Sequence, residues 1–345
     1  MNVLRGAVIG FGKLGLLHAG LVNGLAGSEL AVVVETSPLI QRAIRQYFPH
    51  VTVLQSVAEL VATHRPDFAV IATPTDSHVE IATDLVNQKI PVFIEKPLSL
   101  TAKQAEPLLA ALSKSWVPNM VGYMGRFMDT FRHAHKLISL GVLGNLVMVR
   151  SSMYVEQLLE PGSGWRYDPT RSGGGVLVTQ NSHVVDKLIW MVGELYEVSG
   201  FTTQVVSRSV EDYAHAFLKF SNGAVGYLDA SWSVRHFRTP TISVHLQGSN
   251  GTLEVSDDHV DLYLDRANSG YPSGWSHWRL PDLYEPVPLD IGGTHYTRQM
   301  LTFLTAVRSG LSVESDVASA LKTQRAIDAI YASARQSGAS VRLSQ

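Results

Sequence analysis

The fold is decided close to the amino terminus by the stretch Gly10-Phe11-Gly12-Lys13-Leu14-Gly15, which directly follows a predicted strand from Leu4 to Ile9. Three glycines at this spacing, between a strand and a helix, are typical of a dinucleotide-binding turn. The first makes the tight turn, the second lets backbone amides approach a pyrophosphate, and the third allows close packing of the helix. We therefore expect all six residues of this turn to contact a dinucleotide.

The next apolar run favours NAD over NADP. It extends from Leu30 to Val34 and ends in Glu35, 20 residues beyond Gly15. A carboxylate at this spacing accepts hydrogen bonds from the adenosine ribose and repels a 2′-phosphate. NADP is not excluded, because the hydroxyl of Thr36 could bind a phosphate.

A further strand and turn should line the nicotinamide half of the dinucleotide. The predicted strand runs from residue 68 to 72, and we expect Thr73, Pro74 and Thr75 to contact the cofactor. His78 lies on the first turn of the following helix. Its side chain is predicted to be solvated or to cap that helix, and contact with the cofactor is the second interpretation.

The stretch Val92-Phe93-Ile94-Glu95-Lys96-Pro97 reads as a short buried strand closed by a carboxylate, a lysine and a proline. Strand ends of this kind face the ligand crevice of a parallel sheet. A lysine there needs a partner or a function, and it can hydrogen-bond a substrate oxygen. The alternative is a solvated lysine at the start of the next helix. Six strands with intervening helices predict a Rossmann domain over residues 1–123.

The second half of the chain, residues 124–345, changes character. Short β-rich runs bounded by turn residues predict a large antiparallel sheet, so that the whole chain is an α/β protein of two domains. Two helices, His295 to Ser309 and Val317 to Gln336, close the chain. The predicted strands are Leu146 to Tyr154, Glu197 to Val206, Ala214 to Phe220, Ala224 to Trp232, Thr241 to Gln247, Thr252 to Val255 and Val260 to Leu264.

One predicted helix of this half carries candidate catalytic residues. It starts after Gly173-Gly174-Gly175 and places Thr179, His183 and Asp186 at i, i+4 and i+7, hence on one face. Weaker candidates for substrate contact can grip a charged group, stack on a ring or offer an amide, and each could equally be structural. They are Arg126, Tyr154, Trp165, Arg166, Gln180, Arg235 and His236.

Composition and charge exclude several classes of binding partner and site. A formal charge of −2 gives no field for nucleic acid or an anionic membrane. No apolar stretch reaches the length of a membrane span, and Met1 to Ile9 leaves no room for a leader segment. The absence of cysteine excludes disulfides and fits a reducing compartment, so we expect a cytosolic protein. The 13 histidines form no metal-ligand pair that shares a helix face, so no metal site is predicted.

Several motifs in this order resemble the glucose-fructose oxidoreductase/inositol dehydrogenase (Gfo/Idh/MocA) family. The similarity covers nearly the whole chain, and the ordered set is far more specific than any single motif. The matching residues are Gly10 to Gly15 with His18, Thr73-Pro74 with His78, Glu95-Lys96-Pro97, Gly122-Tyr123 with Arg126-Phe127, Trp165-Arg166, Gly173-Gly174-Gly175, and His183 with Asp186.

The resemblance implies a Rossmann domain joined to an α/β domain with an open antiparallel sheet, one face of which is available for contacts in a homodimer or homotetramer. It implies NAD-dependent chemistry on a hydroxyl of a sugar, cyclitol or nucleotide sugar. Lys96 would hold the reacting oxygen and His183 would be the acid/base, a task that suits a histidine. The same motifs place Glu95, Lys96 and Arg126 beside the cofactor.

One position departs from the family pattern. Many family dehydrogenases carry an aspartate one helical turn before the histidine, and here that residue is Thr179. A threonine can hydrogen-bond the substrate or the histidine but does not ionise usefully. We therefore count Thr179 with Lys96 and His183 as a catalytic candidate that cannot supply the orienting charge.

Three functions remain open from the sequence. The first is a dehydrogenase or reductase of a sugar-like alcohol. The second is a glycosidase that oxidises its substrate transiently with bound NAD, as some members of the family do. The third is a non-catalytic NAD sensor, which would need the pyrophosphate turn but no proton acceptor such as Lys96 or His183.

Overall fold

A computed structural model describes residues 2–343 of the chain. The strands are β1 (Leu4–Ile9), β2 (Ser28–Val34), β3 (Thr52–Leu54), β4 (Phe68–Ile71), β5 (Val92–Ile94), β6 (Asn119–Val121), β7 (Leu146–Tyr154), β8 (Leu195–Thr203), β9 (Tyr213–Phe220), β10 (Val225–Ser231), β11 (Thr241–Gly248), β12 (Gly251–Ser256), β13 (His259–Leu264), β14 (Gly274–Arg279) and β15 (Val341–Arg342).

The helices alternate with the strands in the first part of the chain and are interspersed with them later. They are α1 (Lys13–Gly24), α2 (Pro38–Tyr47), α3 (Val57–Thr63), α4 (His78–Asn87), α5 (Glu106–Lys114), α6 (Asp129–Ser139), α7 (Pro169–Ser172), α8 (Val176–Thr179), α9 (Ser182–Val192), α10 (Leu280–Leu283), α11 (Thr294–Ser309) and α12 (Val317–Arg335). Among the residues described, no helix is both long and apolar enough to cross a membrane.

The chain divides into two compact units. The first contains the residues up to Tyr123 together with Pro286–Leu321, and the second contains Met124–Glu285 with the residues from Lys322 onward. The predicted boundary at residue 123 recurs in this division. The segment Pro286–Leu321, however, belongs with the first unit and not with residues 124–345 as expected.

Side-chain packing explains why Pro286–Leu321 joins the first unit. The ring of Phe303, on α11, lies 5.7 Å from the rings of both Phe68 and Phe93. Further along, Ser315 exchanges two backbone-directed hydrogen bonds of 2.7 Å with Val121. Apolar burial and hydrogen bonding of the β6 edge hold this segment in place, and neither is visible in local sequence patterns.

The first unit is a Rossmann fold. Its six strands are all parallel in the order β3-β2-β1-β4-β5-β6. Every residue of β4 and β5 is fully buried, as expected for strands covered by helices on both faces. This arrangement brings the carboxyl ends of the strands, with their loops, to one edge of the sheet.

The second unit is built on a nine-stranded sheet of order β14-β13-β12-β11-β7-β10-β9-β8-β15. Only β7 and β10 pair in parallel among these strands, so the predicted antiparallel character is confirmed. The edge strands β14 and β15 were not predicted. The sheet is half-buried, with Ala216 and Leu218 of β9 inside while Phe217 between them is exposed.

The helix predicted after the glycine run is not continuous. It is broken between α8 and α9, where the amide of Asn181 bonds to the carbonyl of Val176, five residues earlier, and forms a turn wider than that of an α-helix. The continuous helix expected to carry Thr179, His183 and Asp186 is therefore interrupted. Thr179 ends the first piece, whereas His183 and Asp186 belong to the second.

Candidate active site

The glycine turn has the form that a dinucleotide requires. Gly10 has φ of +84°, and a Cβ there would lie 2.9 Å from the carbonyl oxygen of Ala72. A Cβ on Gly15 would lie 1.9 Å from the carbonyl oxygen of Gly10, whereas one on Gly12 would face open space. Helix α1 begins directly after Gly12, so its amino-terminal N–H groups are available to a pyrophosphate. These residues fit a bound dinucleotide.

Glu35 lies against this turn. Its Oε2 accepts a hydrogen bond of 2.9 Å from the amide of Phe11, and its Oε1 accepts one of 2.8 Å from the amide of Ser37. The side chain is buried, while the neighbouring Thr36 is exposed. The carboxylate is thus fixed beside the dinucleotide turn, where it would meet an adenosine ribose.

The loop after β4 is tied to its own helix and to β5. Within it, the hydroxyl of Ser77 donates to Thr73 Oγ1 at 2.8 Å, Pro74 is partly exposed and Thr75 is buried. His78 is 1% exposed and places Nε2 2.9 Å from the carbonyl oxygen of Thr73. The expectation of a solvated or capping histidine is therefore wrong.

The other ring nitrogen of His78 reaches the loop that carries the candidate lysine. Its Nδ1 lies 2.9 Å from the carbonyl oxygen of Pro97, and the Lys96–Pro97 peptide bond is cis. Burial lowers the pKa of His78, against the opposing effects of the two carbonyl groups and of the Glu95 and Asp76 charges.

Glu95 supports Lys96 from inside the unit. It is 4% exposed, its Oε1 lies 2.7 Å from Nε2 of His18, and its Oε2 accepts the amide of Lys96 at 3.1 Å. Burial alone would raise the pKa of Glu95, but the hydrogen bond and charge of His18 together with Lys96 lower it. Because both of its oxygens are engaged, Glu95 has the position of a residue that supports Lys96. The sequence predicted a contact between Glu95 and the cofactor instead. Lys96 itself is half-buried at the carboxyl end of β5.

His183 lies on the first turn of α9 and is 9% exposed. The segment before it is fixed by Glu211, whose carboxylate accepts the amides of Gly175 at 2.8 Å and Leu177 at 3.1 Å. Tyr331 donates its hydroxyl to the same carboxylate at 2.7 Å. Thr179 Oγ1 donates to the carbonyl of Gly175 at 2.6 Å, so its hydroxyl proton stabilises the end of α8.

Arg126, expected to contact a ligand, lies in a buried ion pair. It forms a bidentate ion pair with Asp186, in which Nε donates to Oδ2 at 2.8 Å and Nη2 donates to Oδ1 at 2.5 Å. Both side chains are buried, and the guanidinium lies 5.9 Å from the centre of the Trp190 ring. Burial raises the pKa of Asp186, and the Arg126 charge opposes it. The structure thus pairs Arg126 with a carboxylate of its own unit.

Tyr154 and Gln180 are also engaged within the second unit. Tyr154 donates its hydroxyl to Asp229, and it lies on the sheet face that exposes Tyr227, opposite the face that packs against α9. Strand alternation therefore places Tyr154 on the sheet face away from α9, a position that does not support its expected substrate contact. Gln180 accepts from the indole of Trp232 and donates to Gln157 at 2.9 Å.

The remaining candidates form two local pairs. Trp165 and Arg166 stack on each other in a single turn of 3₁₀ helix, with the guanidinium 5.3 Å from the ring centre. Arg235 and His236 both meet Glu156: the Arg235 guanidinium lies 3.9 Å from one oxygen, and the His236 amide donates to the other at 3.0 Å. The Arg235 side chain is 71% exposed.

Two comparisons with family models decide what this chain is. The model described as "Oxidoreductase family, NAD-binding Rossmann fold" matches residues 4–123, and the "GFO/IDH/MocA C-terminal domain" model matches residues 131–254. The chain belongs to the Gfo/Idh/MocA family. This Gfo/Idh/MocA protein is accordingly an NAD-binding oxidoreductase, as its glycine turn and Glu35 indicated.

Relatives of this Gfo/Idh/MocA protein include several dehydrogenases. It is 29% identical over 311 residues to myo-inositol dehydrogenase Hyg17 of Streptomyces leeuwenhoekii, which covers 88% of each chain. It is 24% identical over 335 residues to D-apiose dehydrogenase of Paraburkholderia graminis, covering 96% of this chain and 88% of the relative. The fold matches that of levoglucosan dehydrogenase solved with NADH and levoglucosan, at a TM-score of 0.87, 22% identity and full coverage of both chains.

Sequence reasoning missed three supporting residues. His18 was noted only as part of a motif, and Glu211 and Trp232 were not singled out. Each acts through a partner far away in the chain, so spacing gave no signal for them. Across residues 2–343 there is no group of three or more histidine, aspartate or glutamate side chains placed to hold a metal ion.

Proposed function

We propose that this enzyme transfers a hydride between NAD and a secondary hydroxyl or ketone of a sugar, a cyclitol or a nucleotide sugar. The observation that carries the proposal is the placement of Lys96 at the carboxyl end of β5, supported from behind by Glu95, in a sheet whose glycine turn fits a dinucleotide. The dehydrogenase relatives act on inositol and apiose, which supports this substrate class.

In this proposal Lys96 and His183 have separate roles. Lys96 donates a hydrogen bond to the reacting oxygen, and His183 takes the hydroxyl proton during oxidation and returns it during reduction. The nicotinamide, when bound, accepts or supplies the hydride. Thr179 makes a hydrogen bond to the carbonyl of Gly175, so we assign it no proton transfer.

The cofactor contacts remain part of the proposal. Gly10 to Gly15 would hold the pyrophosphate, Glu35 the adenosine ribose, and Thr73 to Thr75 the nicotinamide half. For the substrate we keep Trp165 and Arg166, whose stacked pair could bind a ring, and Arg235 with His236. NAD is the preferred cofactor because the Glu35 carboxylate would repel a 2′-phosphate.

The experiment is a panel of inositols, free sugars and nucleotide sugars, each incubated with NAD and with NADP and followed by the absorbance of the reduced nicotinamide. Stoichiometric NADH with one class of alcohol is the expected result. Release of a free aglycone from a glycoside without accumulating NADH would indicate the glycosidase instead. Tight NAD binding with no turnover across the panel would indicate the sensor.

We further propose a homodimer or homotetramer formed through the exposed face of the second unit's sheet, in a cytosolic enzyme. Phe201, Phe217, Val225 and Tyr227 lie on one face by their strand register and are 50%, 66%, 47% and 42% exposed. A contiguous apolar surface of this kind is typical of a protein–protein contact. The lack of cysteine supports a reducing compartment.

A further inference from the structure

Two buried histidines hold the residues on either side of Lys96. His18, from α1, is hydrogen bonded to Glu95, and His78, from α4, is hydrogen bonded to the carbonyl of Pro97. Both rings are almost completely buried, at 0% and 1% exposure. We call these two residues the histidine clasp.

The His18 side of the clasp rests on a single hydrogen bond. The His18 ring lies 4.9 Å from the ring of Phe93 and 6.4 Å from that of Tyr296, in apolar surroundings. Its Nδ1 is buried and has no hydrogen-bond partner among residues 2–343. The polar role of this side chain is therefore its contact with Glu95, whose other oxygen receives the amide of Lys96.

The His78 side bridges two loops. Its two ring nitrogens lie 2.9 Å from the carbonyl oxygens of Pro97 and Thr73, and a carbonyl oxygen only accepts. The ring must therefore be the donor in any hydrogen bond it makes, and a neutral ring has one N–H, either on Nδ1 toward Pro97 or on Nε2 toward Thr73. The imidazole lies between the loop after β4 and the loop after β5 and contacts both.

The clasp residues come from the helices that begin at the dinucleotide loops. Helix α1 starts immediately after Gly12, and α4 starts at His78 itself, just after the Thr73-Pro74-Thr75 turn. The elements that carry the proposed cofactor loops are thus the same elements that hold Glu95 and Pro97. Helices α1 and α4 would therefore position both a bound dinucleotide and the backbone of Lys96.

We propose that His18 and His78 are positioning residues for Lys96, which fix its backbone relative to the dinucleotide loops. The inference rests on the proposed role of Lys96 in turnover. Neither histidine touches substrate in this scheme; each acts through Glu95 or Pro97. A loosened clasp should therefore reduce the rate of the chemical step more than the affinity for NAD.

The first test compares substitutions that remove different bonds. His78→Leu removes the ring N–H donor and should lower kcat about 10-fold or more, with the NAD KM changed by less than about threefold. His78→Asn keeps a donor near the Nδ1 position, toward Pro97, whereas His78→Gln keeps one near Nε2, toward Thr73. His78→Asn should retain more turnover than His78→Gln, and equal turnover in the two would overturn the Pro97 argument even if His78→Leu does not fold.

His18 gives the parallel comparison. His18→Gln can still donate to Glu95 and should keep kcat within a few-fold, while His18→Leu should lower it about 10-fold. The matched control is Leu85→Ala, which leaves a cavity at a fully buried apolar position of the same helix. It should lower the melting temperature and leave kcat unchanged. A loss of kcat in Leu85→Ala equal to that in His78→Leu would assign the effect to destabilisation and overturn the inference.

A double-mutant cycle separates positioning from a general structural role. If His78 acts through Lys96, then His78→Leu should cost less than about twofold in kcat when introduced into Lys96→Ala, measured by slow NADH formation at high enzyme concentration. Full additivity would overturn the inference. Turnover near wild type in Lys96→Ala alone would overturn the proposed role of Lys96, whereas loss in Lys96→Ala with none in His78→Leu would overturn only the clasp.

Discussion

Arg126 and Asp186 form a buried ion pair in the second unit, with Nη2 of the arginine 2.5 Å from Oδ1 of the aspartate. Thr323 Oγ1 also lies 3.3 Å from that oxygen. The pair joins the turn after Tyr123 to helix α9, which carries His183 on its first turn. Arg126, which the sequence assigned to ligand binding, thus stabilises the helix that carries the proposed acid/base, His183.

Removal of Arg126 should destabilise the fold more than it weakens NAD binding. Arg126→Met leaves the Asp186 carboxylate buried without its cation, which should cost about 3 to 5 kcal/mol in the free energy of unfolding. Urea denaturation measures it. The control is Lys322→Met, which breaks an exposed pair with Glu194 and should cost about 1 kcal/mol or less. A large rise in the NAD KM with unchanged stability would restore Arg126 to the cofactor site.

Loss of the Lys96 ammonium should reduce turnover without loss of cofactor affinity. Lys96→Ala should keep NAD binding within about threefold of wild type while kcat falls roughly 100-fold or more, the scale of acid/base or electrostatic assistance. Calorimetric titration with NAD and initial rates measure the two quantities. Lys103→Ala, an exposed lysine after the same strand, should change neither. Near-normal turnover in Lys96→Ala would mean that the active site has been misplaced.

Glu35 should determine the preference for NAD. Glu35→Ala removes the charge that would repel a 2′-phosphate, so the ratio of kcat/KM for NAD to that for NADP should fall. The substitution also removes the acceptor for the Phe11 and Ser37 amides, so some loss with both cofactors is expected. Glu35→Gln keeps an acceptor and serves as the control for that loss. The argument fails if the wild-type enzyme already prefers NADP.

The burial of His78 predicts a loss of stability at acidic pH. Because its pKa is lowered from the usual value of about 6.5, the unfolded chain binds this proton more readily than the folded one. The stability contributed by the neutral ring is therefore present above pH 6.5 and is lost as the pH falls toward the folded pKa. His78→Asn lacks this titration, so its free energy of unfolding should decline less between about pH 7 and pH 5. Parallel declines in the two proteins would show that His78 keeps its usual pKa.

A charge on the exposed sheet face should dissociate the proposed oligomer. Phe217→Glu places a carboxylate at the most exposed of the four apolar positions, where its desolvation in an interface would be costly. Light scattering after size exclusion should report a smaller mass than for wild type. Tyr47→Glu, on the exposed side of α2, is the control and should leave the mass unchanged. A wild-type mass equal to one chain would exclude the oligomer.

The sequence alone determined the elements whose information is local. The glycine turn, Glu35 at the end of the second strand, and the strand that ends at Lys96 follow from short-range patterns of apolar residues and turn formers. The short β-rich runs bounded by turn residues likewise identified the sheet of the second unit. These features could be predicted because the residues that specify them are neighbours in the chain.

Only the tertiary structure decided which side chains support the site. His18 and Glu95 are 77 positions apart, and Arg126 and Asp186 are 60 apart. The break between α8 and α9 and the docking of Pro286–Leu321 also depend on distant partners. The physical reason is that a buried polar group must be hydrogen bonded, yet its partner can come from any element that packs beside it, and no local pattern records that choice.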